Sequence, residues 1–249
     1  MSKATGTDWP YPFWVGHRGA GKDAPENTLA AFRLGWDTGF RMFECDVKLS
    51  ADGVPYLLHD ATLDRTTSGH GSVEHLTWDQ LASLDAGSWH SSAYTGESLL
   101  RLDNLATWCL EYEAFLNIEI KPVPGHEAAT GASVAEAVKS LWAQTRVPPL
   151  LSSFQPHALL AAQQAVPDLP RALLLDRYWS GWEDVAQRLA CEALVCHHPL
   201  IDETLMVTAR QYGWRVLSYT VNDVAEAHRL QHLGVEGLVT DHMRLPNLV

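Results

Sequence analysis

The feature that most constrains the fold is a regular alternation of strand-like and helix-like stretches along almost the whole chain. Helix-like segments, one of them over residues 131–145, separate the strand-like runs, and Gly39, Gly213 and Gly234 follow three of the segments, as expected where a helix ends. Eight apolar runs have the composition and two-residue periodicity of β-strands: residues 13–19, 42–49, 114–120, 149–154, 171–176, 193–198, 215–221 and 236–241. Eight such repeats in 249 residues predict an α/β fold, a (β/α)8 TIM barrel. A doubly wound open sheet is the competing architecture, which the lack of a G-x-G-x-x-G after the first strand disfavours.

One irregular region interrupts this alternation after the second strand. A further strand-like run, "VPYLLHD", leads into a polar, turn-rich segment with one short helix candidate over residues 77–83. Long segments of this kind inside compact domains are usually functional. We interpret residues about 61–100 as a small insertion on one face of the barrel, within a single domain that spans residues 1–249.

Charge and composition narrow the class of partner. The formal net charge of -12 argues against nucleic acid and against anionic membrane surfaces, but it leaves a small anionic substrate possible. No stretch approaches the ~18 apolar residues that cross a bilayer, and "MSKATGTDWPYPFW" does not resemble a signal peptide. The cysteines form no C-x-x-C pair. We therefore expect a reduced, cytoplasmic protein without membrane insertion.

Polar side chains share one face of the second strand. Residues two apart on a strand point the same way, so Glu44, Asp46 and Lys48 of "RMFECDVKL" face one side while Phe43, Cys45 and Val47 face the other. The run "NIEIKP" repeats the pattern, because Glu119 and Lys121 share a face with Asn117. In TIM barrels the active site lies at the carboxyl ends of the strands. The polar faces are therefore expected to meet at the mouth of the barrel.

Two interpretations fit a convergent carboxylate set of Glu44, Asp46 and Glu119. An all-oxygen set suits Mg²⁺ or Ca²⁺ better than zinc, which prefers His and Cys ligands. Alternatively, the three carboxylates form interior salt bridges with Lys48, Lys121 and Arg18, since ion-pair networks also fill barrel interiors. The spacing of these residues leaves both interpretations open.

Two histidines lie where polar turns follow strand-like runs, His17 in "GHRGA" and His59 in "LLHD". Either one alone is more often structural, but two beside a metal could exchange protons in opposite directions, as cleavage of a P–O ester bond requires. Arg18 offers a planar donor fork that suits phosphate oxygens, or it pairs with a carboxylate such as Glu26.

A second polar cluster contains His197 and His198, with Cys191 and Cys196 nearby. Its spacing matches no common zinc pattern, and strand residues alternate faces, so at most one of the two histidines can point inward. The sequence therefore disfavours a transition-metal site at this position.

These motifs together resemble the glycerophosphodiester phosphodiesterase family, and most closely its compact cytoplasmic bacterial members. The resemblance runs from residue 16 to residue 241 and rests on "GHRGAGKDAPENTLAAF", "FECDVKLSADGVPYLLHDATLDRTTSGHG", "NIEIKP", "SSF", "YTVND" and "GVEGLVTD" in order. It is specific because these motifs occur together. One departure is "HMRLPNLV" after the last strand, where relatives often continue with an aromatic residue and proline.

The resemblance implies a TIM barrel with an insertion after strand two and hydrolysis of glycerophosphodiesters, such as glycerophosphocholine or glycerophosphoethanolamine, to glycerol 3-phosphate and an alcohol. By the same resemblance, Glu44, Asp46 and Glu119 hold a divalent cation, Mg²⁺ or Ca²⁺, and His17 and His59 act as general acid and base. The resemblance also implies phosphate contacts, a position beside the metal or a place in the substrate pocket for a further set: Arg18, Lys121, Asn27, Phe154, Tyr219 and Asn222.

Three other functions could use part of this arrangement. A lyase like phosphatidylinositol phospholipase C has a similar histidine pair, but its bacterial form uses no metal, which leaves the carboxylates unexplained. A lyase like sphingomyelinase D is typically secreted and disulfide-bonded. A barrel that binds phosphodiesters without cleaving them would not need both histidines and all three carboxylates.

Overall fold

The computed structural model describes residues 9–249. The first eight residues, on which part of the signal-peptide argument rests, lie outside the described residues. The described chain contains nine strands: β1 (Trp14–Gly16), β2 (Met42–Leu49), β3 (Pro55–Leu57), β4 (Phe115–Ile120), β5 (Leu150–Ser153), β6 (Arg171–Leu175), β7 (Ala193–His197), β8 (Arg215–Tyr219) and β9 (Gly237–Thr240). It also contains eight α-helices: α1 (Leu29–Asp37), α2 (Trp78–Ala82), α3 (Leu102–Tyr112), α4 (Glu127–Leu141), α5 (Pro156–Ala165), α6 (Trp182–Arg188), α7 (Glu203–Tyr212) and α8 (Val224–Leu233).

The sheet closes on itself through its first strand. β1 pairs in parallel with both β2 and β9, and β4 to β9 follow one another in parallel order from β2. β3 is the exception, because it pairs antiparallel with β2 outside the barrel. The predicted (β/α)8 TIM barrel is therefore confirmed, and each predicted strand overlaps an observed one. β1 is shorter than the predicted run because the chain turns at Arg18, whose φ is +52°.

The helix ends follow local sequence signals. The side chains of Thr28, Asp202 and Asp223 accept hydrogen bonds from backbone N–H groups in the first turns of α1, α7 and α8. Gly213 and Gly234 end α7 and α8 in the left-handed conformation, with φ of +74° and +85°. The prediction was less accurate for α4, which begins at residue 127 and includes a glycine that the sequence reading placed at its start.

The alternation of side chains along β2 determines which of them pack against the helices and which point into the barrel. Phe43 on the outer face lies against Phe32 of α1 and Trp108 of α3, with ring centroids 5.7 and 5.9 Å away. On the inner face, Met42 belongs to an apolar cluster inside the barrel. Glu44 is two residues further on and shares the inner face with it. The barrel interior is therefore apolar at the amino ends of the strands and polar at their carboxyl ends.

The segment between β3 and α3 folds over the carboxyl-end side of the barrel. Its apolar side chains form a small cluster with Tyr56 of β3, comprising Leu58, Leu63, Val73, Leu81, Ala86 and Leu99. Its predicted helix is observed as α2, where the backbone N–H of Thr77 donates to the Gln80 side chain over 2.9 Å. The His90 ring nitrogen Nε2 lies 3.0 Å from the carbonyl oxygen of Lys22, which ties the segment to the loop after β1.

No helix among residues 9–249 combines the length and apolar character needed to cross a membrane.

Helices α4 and α5 are in close contact at Gly131. A Cβ at Gly131 would lie 2.1 Å from the Ala158 carbonyl oxygen. Gly131→Ala should therefore lower the free energy of unfolding by about 1–3 kcal/mol, although alanine favours helix. Urea denaturation measures the change, with Ser140→Ala on the exposed side of the same helix as the control. A Gly131→Ala protein as stable as the wild type would contradict this close helix contact.

Candidate active site

Three carboxylates converge at the carboxyl-end mouth of the barrel. Glu44 and Asp46 come from β2, and Glu119 comes from the neighbouring β4, where it stands directly beside Asp46 in the strand register. One oxygen from each lies within 4.8 Å of the other two, and the residues are only 5%, 1% and 9% exposed, respectively. Within residues 9–249 this is the one cluster of three or more His, Cys, Asp or Glu side chains with such spacing. The structure thus brings together the set that the sequence predicted.

Two cations and an amide neutralise part of this buried charge. Arg18 Nε lies 3.1 Å from Asp46 Oδ2, and Lys121 Nζ lies 2.9 Å from Glu119 Oε1 and 3.4 Å from Asp46 Oδ1. Asn27 donates to Asp46 Oδ2 over 2.9 Å and accepts from the Asp46 backbone N–H. Lys48 does not join these pairs, because its ammonium donates to the backbone carbonyl of Lys121. The salt-bridge interpretation is therefore correct for Arg18 and Lys121.

These cations do not balance the whole cluster. Burial and the charges of Asp46 and Glu119 hold the pKa of Glu44 well above its usual range. Burial, together with Asp46, also raises the pKa of Glu119 to about 7. The pKa of Asp46 is held well below its usual range, because Arg18 and Lys121 outweigh the effect of its burial. Charge repulsion is thus concentrated on Glu44 and Glu119.

The donor set fits a divalent cation. Asp46 Oδ1 is buried and accepts no hydrogen bond, and three carboxylates within reach of one another provide the oxygen ligands that Mg²⁺ and Ca²⁺ prefer. A bound dication would compensate the repulsion that the nearby side chains leave in place. The ion pairs and a metal are therefore compatible, because Arg18 and Lys121 occupy only part of the carboxylate surface.

His17 follows β1 and is held from the last strand. Its Nδ1 lies 2.6 Å from Asp241 Oδ1, and its Nε2 lies 3.9 Å from Glu44 Oε2. Asn222 holds Asp241 in turn, since its Nδ2 donates to Asp241 Oδ2 over 3.0 Å and its Oδ1 accepts from the Asp241 backbone N–H. The imidazole therefore directs Nε2 towards the carboxylate cluster. Asn222 lies behind the histidine.

His59 follows β3 and has a comparable support. Its Nδ1 lies 2.6 Å from Oδ1 of the adjacent Asp60, and burial lowers the pKa of the ring. Both histidines thus use Nδ1 for a carboxylate, which leaves Nε2 as the ring atom that can reach a substrate.

The backbone at the start of the barrel is strained around the cluster. Arg18 and Asn27 both have left-handed backbone conformations, with φ of +52° and +60°. The backbone N–H of Arg18 donates to Glu44 Oε2, and that of Asn27 donates to the Arg18 carbonyl oxygen. Strain of this kind in non-glycine residues is characteristic of functional sites. Here it directs both side chains onto Asp46.

An aromatic pair lies near Lys121 at the carboxyl ends of β5 and β8. Phe154 follows β5 and Tyr219 ends β8, and their rings meet edge to face with centroids 5.9 Å apart. Lys121 Nζ lies 5.9 Å from the centre of the Phe154 ring, and the Tyr219 hydroxyl donates to the Leu175 carbonyl oxygen. The exposed ring of His197 lies 5.8 Å from that of Tyr219. Two of the predicted pocket residues, Phe154 and Tyr219, are therefore in contact and lie near Lys121, whereas Asn222 binds Asp241.

His198, which follows His197 in the sequence, has a different environment. His198 Nδ1 lies 2.7 Å from Glu226 Oε1, and Cys191 and Cys196 are buried free thiols. These side chains do not belong to the metal-compatible cluster of the described chain.

Sequence reasoning named Glu26 as a possible partner of Arg18, a pair that the structure shows at 2.8 Å, but it assigned no role to the residues that hold the two histidines. Asp60 and Asp241 were visible, one beside His59 and the other at the end of the last predicted strand. Arg65 is part of a quoted motif, but its partners Asp60 and Glu26 can be identified only from the folded chain. A histidine followed directly by an acidic residue at a strand end was the available signal.

Comparison with known sequences identifies the same family that the sequence motifs resemble. A sequence model of the glycerophosphoryl diester phosphodiesterase family matches residues 17–245. A glycerophosphodiester phosphodiesterase of Caldanaerobacter subterraneus subsp. tengcongensis is 31% identical over 235 residues, which cover 91% of this chain and 93% of that one.

Solved structures of phosphodiesterases are also similar to this chain. An Oleispira antarctica phosphodiesterase in complex with the product sn-glycerol-3-phosphate superposes with a TM-score of 0.89 at 34% identity, covering 95% of this chain and 96% of the other. A glycerophosphodiester phosphodiesterase from Agrobacterium tumefaciens superposes with a TM-score of 0.80 at 28% identity, covering 96% of this chain and all of the other (100%).

The raised pKa of Glu119 predicts how pH affects the metal-free protein. In the unfolded chain this carboxyl ionises near its ordinary pKa of 4.5, whereas in the folded protein it does so near about 7. The folded state therefore retains a proton that the unfolded state has lost, and stability should fall as the pH rises from about 4.5 to about 7. Glu119→Gln should weaken this dependence and raise the free energy of unfolding at neutral pH by about 1 kcal/mol or more.

Thermal unfolding in the presence of a chelator, measured across this pH range, provides the test. Glu74→Gln is the matched control, because Glu74 is an exposed carboxylate whose side chain lies 3.7 Å from His126 and does not belong to the carboxylate cluster. A Glu119→Gln protein with the pH dependence of the wild type would contradict the prediction.

Proposed function

Because the chain belongs to the glycerophosphoryl diester phosphodiesterase family, we propose that it hydrolyses glycerophosphodiesters, such as glycerophosphocholine or glycerophosphoethanolamine, to glycerol 3-phosphate and an alcohol. The observation that supports this proposal best is the grouping of two carboxylate-held histidines around a buried carboxylate cluster. The product named for the Oleispira antarctica structure belongs to the same chemistry.

Glu44, Asp46 and Glu119 would hold the divalent cation, Mg²⁺ or Ca²⁺, with Asn27 fixing the orientation of Asp46. When bound, the cation supplies Lewis-acid polarisation of the phosphoryl group. The guanidinium of Arg18 and the ammonium of Lys121 bind non-bridging phosphate oxygens and stabilise the charge that develops on them. Both cations already lie against the carboxylate cluster, which orients them towards one point.

His17 and His59 divide the proton transfers. One Nε2 accepts a proton from the nucleophile, either water or the 2-hydroxyl of the glycerol moiety, and the other protonates the leaving alkoxide as the P–O bond breaks. Asp241 and Asp60 accept from Nδ1 and so stabilise the imidazolium that forms. If the glycerol hydroxyl attacks, a cyclic phosphate forms first and water opens it in a second step.

Phe154, Tyr219 and Asn222 complete the substrate site. The two rings offer an apolar surface to the carbon chain of the substrate, whereas Asn222 acts through Asp241. The buried free cysteines favour a reducing, cytoplasmic location, and small glycerophosphodiesters from lipid metabolism are the proposed substrates.

Replacement of either histidine tests the acid–base assignment. His17→Ala or His59→Ala should lower kcat by ~100-fold or more with little change in thermal stability, because each removes one proton transfer. The measurement is release of glycerol 3-phosphate from glycerophosphocholine and glycerophosphoethanolamine. His70→Ala is the matched control, since His70 also pairs with an aspartate, at 3.2 Å, but is exposed outside the mouth. Wild-type turnover in either variant would refute its role.

Removal of the metal tests the cofactor proposal. Exhaustive chelation should abolish the release of glycerol 3-phosphate, and Mg²⁺ or Ca²⁺ should restore it. At a concentration 100 times its Kd, the effective ion should also stabilise the wild type against unfolding by about 2.7 kcal/mol. Asp46→Asn should lose this stabilisation, whereas the control Glu74→Gln should retain it. Full activity after chelation would overturn the proposal.

A further inference from the structure

Arg65 makes an unusually complete set of ion pairs beside the mouth. Its Nε and Nη2 donate to the two oxygens of Asp60 over 2.7 and 3.0 Å. Its Nη1 and Nη2 donate to the two oxygens of Glu26 over 2.6 and 2.8 Å. One guanidinium thus binds two carboxylates, each through two hydrogen bonds, which is the geometry for which arginine is suited.

Each of these two carboxylates also binds a side chain of the candidate active site. Asp60 Oδ1 also binds His59 Nδ1 at 2.6 Å. Glu26 Oε1 also accepts from Arg18 Nη1 at 2.8 Å, and Arg18 Nε lies 3.1 Å from Asp46. Positive and negative side chains therefore alternate from Asp46 to His59. Between these two residues the chain of contacts runs in the order Arg18, Glu26, Arg65 and Asp60.

This link joins two loops that are distant in sequence. Glu26 belongs to the loop after β1, and Arg65 belongs to the segment after β3, 39 residues further along. His59 and Arg18 also come from these two loops. The hydrogen bonds of Arg65 favour the ionised forms of both partners and lower the pKa values of Asp60 and Glu26. The side chain of Arg65 thus links the loop that carries His59 to the loop that carries Arg18.

Stability and orientation can both depend on this arrangement. The side chain of Arg65 is 44% exposed, which limits the stability gained from its ion pairs, whereas their bidentate geometry holds both partners in fixed positions. Orientation at a reacting centre is much more sensitive, since a displacement of about 1 Å can cost ~100-fold in rate.

We propose that Arg65 is a positioning residue that fixes the spacing between His59 and Arg18 by bridging Asp60 and Glu26. The proposal rests on the proposed roles of His59 and Arg18. It assigns Arg65 an effect on the reaction although the hydrogen bonds of its guanidinium go to Asp60 and Glu26 and not to a histidine or to the carboxylate cluster.

Two variants of Arg65 provide the first test. Arg65→Gln and Arg65→Lys should both lower kcat/KM by roughly 10- to 100-fold, because neither side chain can bind two carboxylates through a fork. The matched control is Arg101→Gln. Arg101 also binds an aspartate through Nε and Nη2, with a side chain that is 37% exposed, but its partner Asp103 lies at the start of α3 outside the mouth. The control should retain at least about half of the wild-type kcat/KM.

A double-mutant cycle tests whether the effect of Arg65 passes through its two partners. In a protein that already carries Asp60→Asn and Glu26→Gln, adding Arg65→Gln should cost less than ~3-fold, because both routes to the active site are already cut. A purely structural role would instead lower the unfolding temperature of Arg65→Gln and leave kcat/KM per folded molecule unchanged. Equal losses in both backgrounds, or wild-type kcat/KM in Arg65→Gln, would overturn the proposal.

His59→Ala and Arg18→Gln are measured in parallel so that two failures can be distinguished. If both of these variants lose activity and Arg65→Gln does not, the positioning role of Arg65 fails and the proposed function stands. If His59→Ala or Arg18→Gln retains wild-type activity, the proposed function itself fails at that residue. Thermal unfolding of every variant establishes that the compared proteins are folded.

Discussion

The burial of three carboxylates at one end of the barrel is the constraint on which the rest of the mouth depends. Glu44, Asp46 and Glu119 repel one another where water cannot screen them, and their charge must be compensated from nearby. Arg18 and Lys121 provide part of this compensation, and they can do so because β1 and β4 place them against Asp46. The charge that they leave uncompensated is what a divalent cation would balance in the proposed site. In that proposal, electrostatic compensation and phosphodiester chemistry use the same side chains.

A second layer of charge holds the groups that surround this centre. Asp241 and Asp60 each bind the Nδ1 atom of a histidine, and Asn222 fixes Asp241 in turn. Glu26 and Arg65 extend the layer to the segment after β3. The side chain of Arg65 is 44% exposed, which limits the contribution of its ion pairs to stability. The geometry of these bonds defines where the Nε2 atoms of the two histidines and the guanidinium of Arg18 stand.

The barrel could be predicted well from the sequence because its signals are local. Strand runs such as residues 42–49 follow directly from two-residue periodicity, and Gly213 ends its helix as its backbone freedom predicts. The start of α4 was predicted less well. The sequence placed Gly131 at the start of α4, whereas the helix begins at residue 127 and contains Gly131 in its interior. A glycine stands there because α5 approaches too closely for any side chain.

The sequence by itself determined the alternating strands and helices, the inward face of Glu44 and Asp46, and the presence of two histidines at strand ends. These properties depend on residues that are neighbours along the chain. Only the tertiary structure decided that Asp241 supports His17 and that Arg65 connects Asp60 with Glu26. The partners in these contacts are separated by up to 224 residues, and barrel closure brings β1 beside β9. Pairings of this kind follow from which strand ends meet at the mouth, a property of the closed sheet and not of any local pattern.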